Sequence, residues 1–119
     1  MKNVTTEERG WIGHYILGDR CKFRRNTLLT CGDERIVVST VGLVDVAGRI
    51  EEVGSNRYYE TMAFKAYFDG PYWEADIPEP ITFKSPWSIN ALSHESNNTA
   101  NMMHEKVVEE LCIMLRSKT

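Results

Sequence analysis

Cysteine, histidine and proline are all scarce in this chain of 119 residues, and the shortages narrow what it can do. Cys21, Cys31 and Cys112 are odd in number and include no pair at the two-to-four residue spacing of structural zinc sites. They read as free thiols in a reducing compartment. His14, His94 and His104 are the only histidines, and none sits in a recognised catalytic spacing. No glycine-rich phosphate loop is present, because Gly10-x-x-Gly13 precedes a strand-like block and does not open a helix. The acids Glu51, Glu52, Glu74 and Asp76 follow no calcium-loop pattern. Neither a metal nor a cofactor is expected. No apolar run approaches the roughly 20 residues of a membrane span. Met1 leads into a polar stretch, Lys2 to Arg9, unlike a signal peptide, so the expected location is cytoplasmic.

What remains is an ordinary globular composition, 42% apolar and 10% aromatic, without repeats or low-complexity segments. One domain spanning residues 1–119 is expected. The net charge is −3, which disfavours bulk binding of duplex nucleic acid. The charge is uneven, however. Residues 1–35 carry seven Lys or Arg against five acids, and residues 36–80 carry three against eight. The segment Arg20-Cys21-Lys22-Phe23-Arg24-Arg25-Asn26 concentrates four cations in seven residues. As a strand it presents Arg20, Lys22 and Arg24 on one face and Cys21, Phe23 and Arg25 on the other. A planar guanidinium suits phosphate or carboxylate, although edge strands also carry charge to discourage pairing.

Strand character continues to Cys31, breaks at Gly32-Asp33, and is clearest over Arg35 to Val46, which is rich in Val, Ile and Thr. Residues 47–56 read as a connecting loop. Arg57 to Phe68 alternates as an antiparallel partner. Of its two faces, the one with Tyr58, Met62, Phe64, Ala66 and Phe68 looks buried, and Tyr59, Thr61, Ala63, Lys65 and Tyr67 form the other. Pro78, Pro80 and Pro86 confine residues 77–86 to an edge strand or extended segment. Asn98 or Thr99 can cap a helix whose Met103, Val107, Leu111, Met114 and Leu115 recur at helical spacing. The expected fold is α+β, an antiparallel sheet of five or six strands covered by one C-terminal helix. Val108 and Cys112 widen the apolar stripe of that helix, either for a homodimer or for a broad intramolecular face.

No constellation fixes a reaction, and no catalytic residue is assigned. His104 beside Glu105, one turn after Asn101, can hydrogen-bond across a packing surface or to a ligand. Anion recognition is the better-supported chemistry. Arg24, Arg25 and Asn26 supply donors, and Arg57 beside Tyr59 supplies a guanidinium next to an aromatic ring. Phe83 or Trp87 can stack on a base, and Asn26 and Asn90 can read a base edge.

The strings Arg9-Gly10-Trp11-x-Gly13-His14, Arg20-Cys21-x-Phe23-Arg24-Arg25-Asn26-Thr27-Leu28-Leu29, Ser39-Thr40-Val41-Gly42, Asn56-Arg57-Tyr58-Tyr59-Glu60-Thr61-Met62-Ala63-Phe64 and Met103-His104-Glu105 resemble a family of short proteins of phages, prophages and mobile elements. In size the chain also resembles phage anti-Thoeris sponges, which sequester cyclic ADP-ribose-type immune signals. That resemblance implies non-catalytic capture of a nucleotide signal by a homo-oligomer in the host cytoplasm. It carries over no individual residue. Two competing expectations are a protein-binding inhibitor of host defence, such as an anti-CRISPR protein, whose acidic middle segment mimics nucleic acid, and a small hydrolase working through Cys21, His14 or His104.

Overall fold

β-Branched side chains crowd the middle of the sequence, and there the chain lies extended. A computed structural model describes residues 3–9, 20–51, 59–69, 72–81 and 97–117. The strands are β1 (Thr5–Arg9), β2 (Cys21–Cys31), β3 (Glu34–Val46), β4 (Arg49–Glu51), β5 (Tyr59–Asp69) and β6 (Tyr72–Ile81), followed by the helix α1 (Asn97–Ser117). All described pairings are antiparallel, in the order β1-β2-β3-β5-β6, with β4 attached to the end of β3. The expected α+β fold is therefore present.

Gly32, at a φ of 59°, turns β2 into β3. β3 is central and its residues from Ile36 to Val44 are all buried, which explains a nearly unbroken apolar run where a one-sided strand would alternate. Within that run Leu43 takes a φ of 57°, a conformation that non-glycine residues rarely adopt. Its side chain packs with Tyr59, Ala100 and Met103 on the helix side, while Val41 and Val44 pack with Cys21.

Residues 47–56 do not all form the expected loop. Ala47 and Gly48 both have positive φ, 53° and 83°, and join Val46 to its partner Arg49 in a two-residue hairpin. Such turns match the twist of the strands they connect. The Gly48 N–H donates to the Asp45 carboxylate at 2.9 Å. Alanine at the first central position conceals a turn that asparagine or aspartate would have advertised. Pro78 and Pro80 lie in β6, an edge strand as expected, and its register against β5 shifts between Phe64 and Ala66.

The helix packs on the sheet face that carries Leu29, Cys31, Ile36, Val38 and Ala63, using Val107, Val108, Leu111, Cys112 and Leu115. Val108 and Cys112 thus belong to the chain's own core, and Met102 and Ile113 are the large apolar residues of α1 left exposed. The face assignment within β5 needs correction. Tyr59, Thr61 and Ala63 are buried on the helix side, and Phe64 is buried with Val37 on the other, so both faces contribute core. Thr61, Lys65 and two tyrosine hydroxyls made the Tyr59 set look solvated, yet Thr61 and Thr40 of β3 satisfy one another at 2.7 Å.

Leu115→Ala removes a fully buried side chain and is expected to cost about 2–5 kcal/mol in urea unfolding. Ala47→Asn relieves a left-handed alanine and is expected to stabilise by up to about 1 kcal/mol in the same assay.

Candidate functional site

Cross-strand register aligns a row of polar side chains under the helix. Thr40 of β3 lies opposite Arg25 of β2 and Thr61 of β5, and Glu8 of β1 lies opposite Thr27. Directly paired residues of an antiparallel sheet share a face. His104 of α1, with no exposed surface, inserts among them. Its Nδ1 is 2.7 Å from Thr40 Oγ1 and its Nε2 is 2.7 Å from Thr27 Oγ1.

Counting protons orients the whole chain of contacts. The Glu8 carboxylate can only accept, so the hydroxyl proton of Thr27 goes to Glu8 Oε2. The Thr27 oxygen must then accept from His104, which places the imidazole proton on Nε2. Nδ1 is left as the acceptor, Thr40 donates to it, and Thr61 donates to Thr40. The result is a polarised run from Thr61 through Thr40, His104 and Thr27 to Glu8.

Arg25 completes the anionic end. Its Nε donates to Glu8 at 2.7 Å, one terminal nitrogen donates to Asn101 Oδ1 at 3.3 Å, and the other binds Glu105. One guanidinium thereby joins the edge strand β1 to the helix. Partial burial opposes both charges, but the Arg25 and Thr27 hydrogen bonds hold the Glu8 carboxyl below its usual range. Glu8 and Glu105 in turn raise Arg25. Burial, assisted by the positive charge of Arg25, pushes His104 down to about 4. A neutral imidazole sealed from solvent with both nitrogens bonded to threonine hydroxyls has no free position from which to reach a substrate. Cys21, buried beside Val41 and Val44, is not among its partners. Burial also raises the Cys112 thiol.

The other face of β2 has different chemistry. Lys22 and Arg24 are exposed there, Asn26 is 4% exposed, and Asn26 faces Arg9 of β1 and Ser39 of β3. Arg9 lies 3.4 Å from Glu7. The Asn26 side-chain oxygen is buried and has no hydrogen-bond partner among the described residues. Leaving an amide oxygen in this state costs about 1–3 kcal/mol.

The residues expected to bind an anion are therefore separated by strand alternation. Arg24 and Asn26 share the outer face, with Arg9 beside them. Arg25 lies on the helix face and is held by chain carboxylates, and Tyr59 is fully buried there, its ring edge-on to Phe23 at 5.7 Å. Arg57, Phe83, Trp87, Asn90, His14 and His94 lie outside the described residues. Sequence reasoning passed over Glu8, Thr27, Thr40 and Thr61, although Ser39-Thr40 inside an apolar strand was a signal that a buried polar partner existed. No group of three or more metal-ligating side chains occurs among the described residues. No helix among them is long and apolar enough to cross a membrane.

The polar row gives the fold a definite acid sensitivity. The unfolded histidine titrates near 6.5 and the folded one near 4, so between these values the unfolded state takes up the proton first. Stability is at its full value above pH 6.5 and falls towards pH 4, by about 3 kcal/mol in all. Glu8 acts in the same direction at lower pH, because its lowered carboxyl contributes stability that is lost as pH falls through the folded value. Urea unfolding at pH 7 and pH 5 is expected to differ by about 2 kcal/mol for the native chain and by much less for His104→Gln. Equal stabilities at the two pH values would contradict this reading.

No protein-family model, curated protein or solved structure matches this chain, so the site is interpreted from its own chemistry.

Proposed function

We propose that the chain captures a small anionic, nucleotide-like molecule without transforming it, on the sheet face opposite α1. The observation that carries this reading is the buried Asn26 oxygen without a partner, set beside Arg9 and Arg24 on the same face. Arg24 and Lys22 are exposed and suit phosphate oxygens, and Arg9 extends the cationic rim onto the neighbouring strand. A ligand amino or hydroxyl group that donates to Asn26 Oδ1 relieves the cost of its isolation.

Arg57, Phe83, Trp87 and Asn90 join this reading from sequence alone, as a further guanidinium, two stacking surfaces and a second amide. Arg25 and Tyr59 take supporting places, since Arg25 anchors the strand that displays Arg24 and Tyr59 fills the core beneath it. The resemblance to phage proteins that sequester cyclic ADP-ribose-type signals supports capture as the biological role. Sequestration needs affinity and exclusion from other receptors, and no nucleophile or base.

Thermal-shift measurements test the proposal with cyclic ADP-ribose isomers, cyclic dinucleotides and inorganic phosphate. A captured nucleotide at a hundred times its Kd stabilises the fold by about 2.7 kcal/mol. Arg24→Glu is expected to abolish that shift. Asn26→Ala is expected to raise the melting temperature of the free protein while reducing the ligand-induced shift. Absence of a shift with every nucleotide would count against the proposal.

A further inference from the structure

A half-open cleft of about 340 Å³ lies on the helix side, where the β2–β3 turn, the middle of β5, the end of β6 and the last turns of α1 meet. That volume is in the range of small-molecule sites. Its apolar surface comes from Ile36, Ile81 and Met114, and its rim carries Asp33, Glu34 and Lys65. Ile36 and Lys65 are direct cross-strand partners, and Glu34 is two residues from Ile36, so a cation and an anion border the same apolar floor on one face. The register shift of β5 against β6 between Phe64 and Ala66 leaves Lys65 without a partner in the β6 ladder.

The rim charges differ in how far they are already engaged. Arg35, the remaining cation of the lining, folds back onto the turn, with one terminal nitrogen 2.5 Å from the Gly32 carbonyl and 3.1 Å from that of Glu34. Lys65 and Asp33 are exposed, and neither makes an ion pair or side-chain hydrogen bond among the described residues. An occupant matched to this rim carries a carboxylate for Lys65 and an ammonium for Asp33 and Glu34, with an apolar group against Ile36, Ile81 and Met114.

We infer that this cavity binds a free apolar α-amino acid as its zwitterion. The site is separate from the nucleotide face and stands without it. A single negative charge would meet Asp33 and Glu34, and a single positive charge would meet Lys65. A molecule bearing an ammonium and a carboxylate on the same carbon presents each charge to its opposite on the rim.

Isothermal titration and saturation-transfer NMR on the full chain test this with L-leucine, 4-methylpentanoate, 3-methylbutylamine and glycine. Leucine is expected to bind saturably with a Kd of about 1 mM. The acid, the amine and glycine are each expected to bind at least about fivefold more weakly. Lys65→Gln, at an exposed position, is expected to weaken leucine by a similar factor with the melting temperature unchanged. Met114→Trp, which fills the cavity, is expected to abolish binding. The inference is overturned if the native protein shows no saturable leucine binding up to about 20 mM, if the singly charged analogues bind as well as leucine, or if Lys65→Gln leaves leucine affinity unchanged.

Discussion

A neutral imidazole held between two threonine hydroxyls is the constraint on which the rest of this fold depends. His104 is the polar side chain that the helix buries completely in the sheet, and such a group is tolerated only when each of its atoms is paired. Thr27 and Thr40 supply those partners, and Glu8 sets the direction in which every proton in the row points. The apolar contacts of Val107, Leu111 and Leu115 provide the larger share of adhesion, since burial of each such side chain contributes about 1.5–3 kcal/mol. They do not fix where along the sheet the helix sits. The histidine does, because a slip by one residue or one turn would carry both ring nitrogens away from Thr27 and Thr40 and leave them buried without partners.

That constraint also divides the labour of β2. Arg25 and Thr27 point to the helix and are absorbed by Glu8, Glu105, Asn101 and His104, while Arg24 and Asn26 point away. Two adjacent arginines in one strand therefore have unlike roles. One is a clamp whose charge is balanced by carboxylates from β1 and α1, and the other sits in an exposed basic row. The same separation leaves the Asn26 oxygen on the outer face, opposite Ser39 and away from the Thr27, Thr40 and Thr61 hydroxyls.

Much of the architecture was legible because β-branched runs, turn glycines and helical spacing all act locally. The run from Arg35 to Val46, the Gly32-Asp33 turn and the stripe from Met103 to Leu115 each carry their structure in their own residues. The hairpin at Ala47-Gly48 was hidden because a positive φ at alanine is held by the Asp45 carboxylate and the strand register, neither of which is a local propensity. The burial of Tyr59 and Thr61 was hidden for a similar reason. Polarity along one strand suggests solvent until the partners on other strands are known. His104 marks the limit most clearly, since its role requires Thr27 from 77 residues away and Thr40 from 64 residues away. Alternation along β2 did separate Arg24 from Arg25 in advance, but the carboxylates that claim Arg25 come from β1 and α1 and could not be assigned from spacing.

The most direct measurement is the ¹⁵N NMR spectrum of the His104 ring followed from pH 7.5 downward. The account predicts the Nε2–H tautomer, with Nδ1 unprotonated and no titration of this ring until the pH approaches 4, where the fold itself loosens. A ring protonated on Nδ1 in its neutral form, or one that titrates near 6.5 in the folded protein, would contradict the polarised row and the helix placement derived from it.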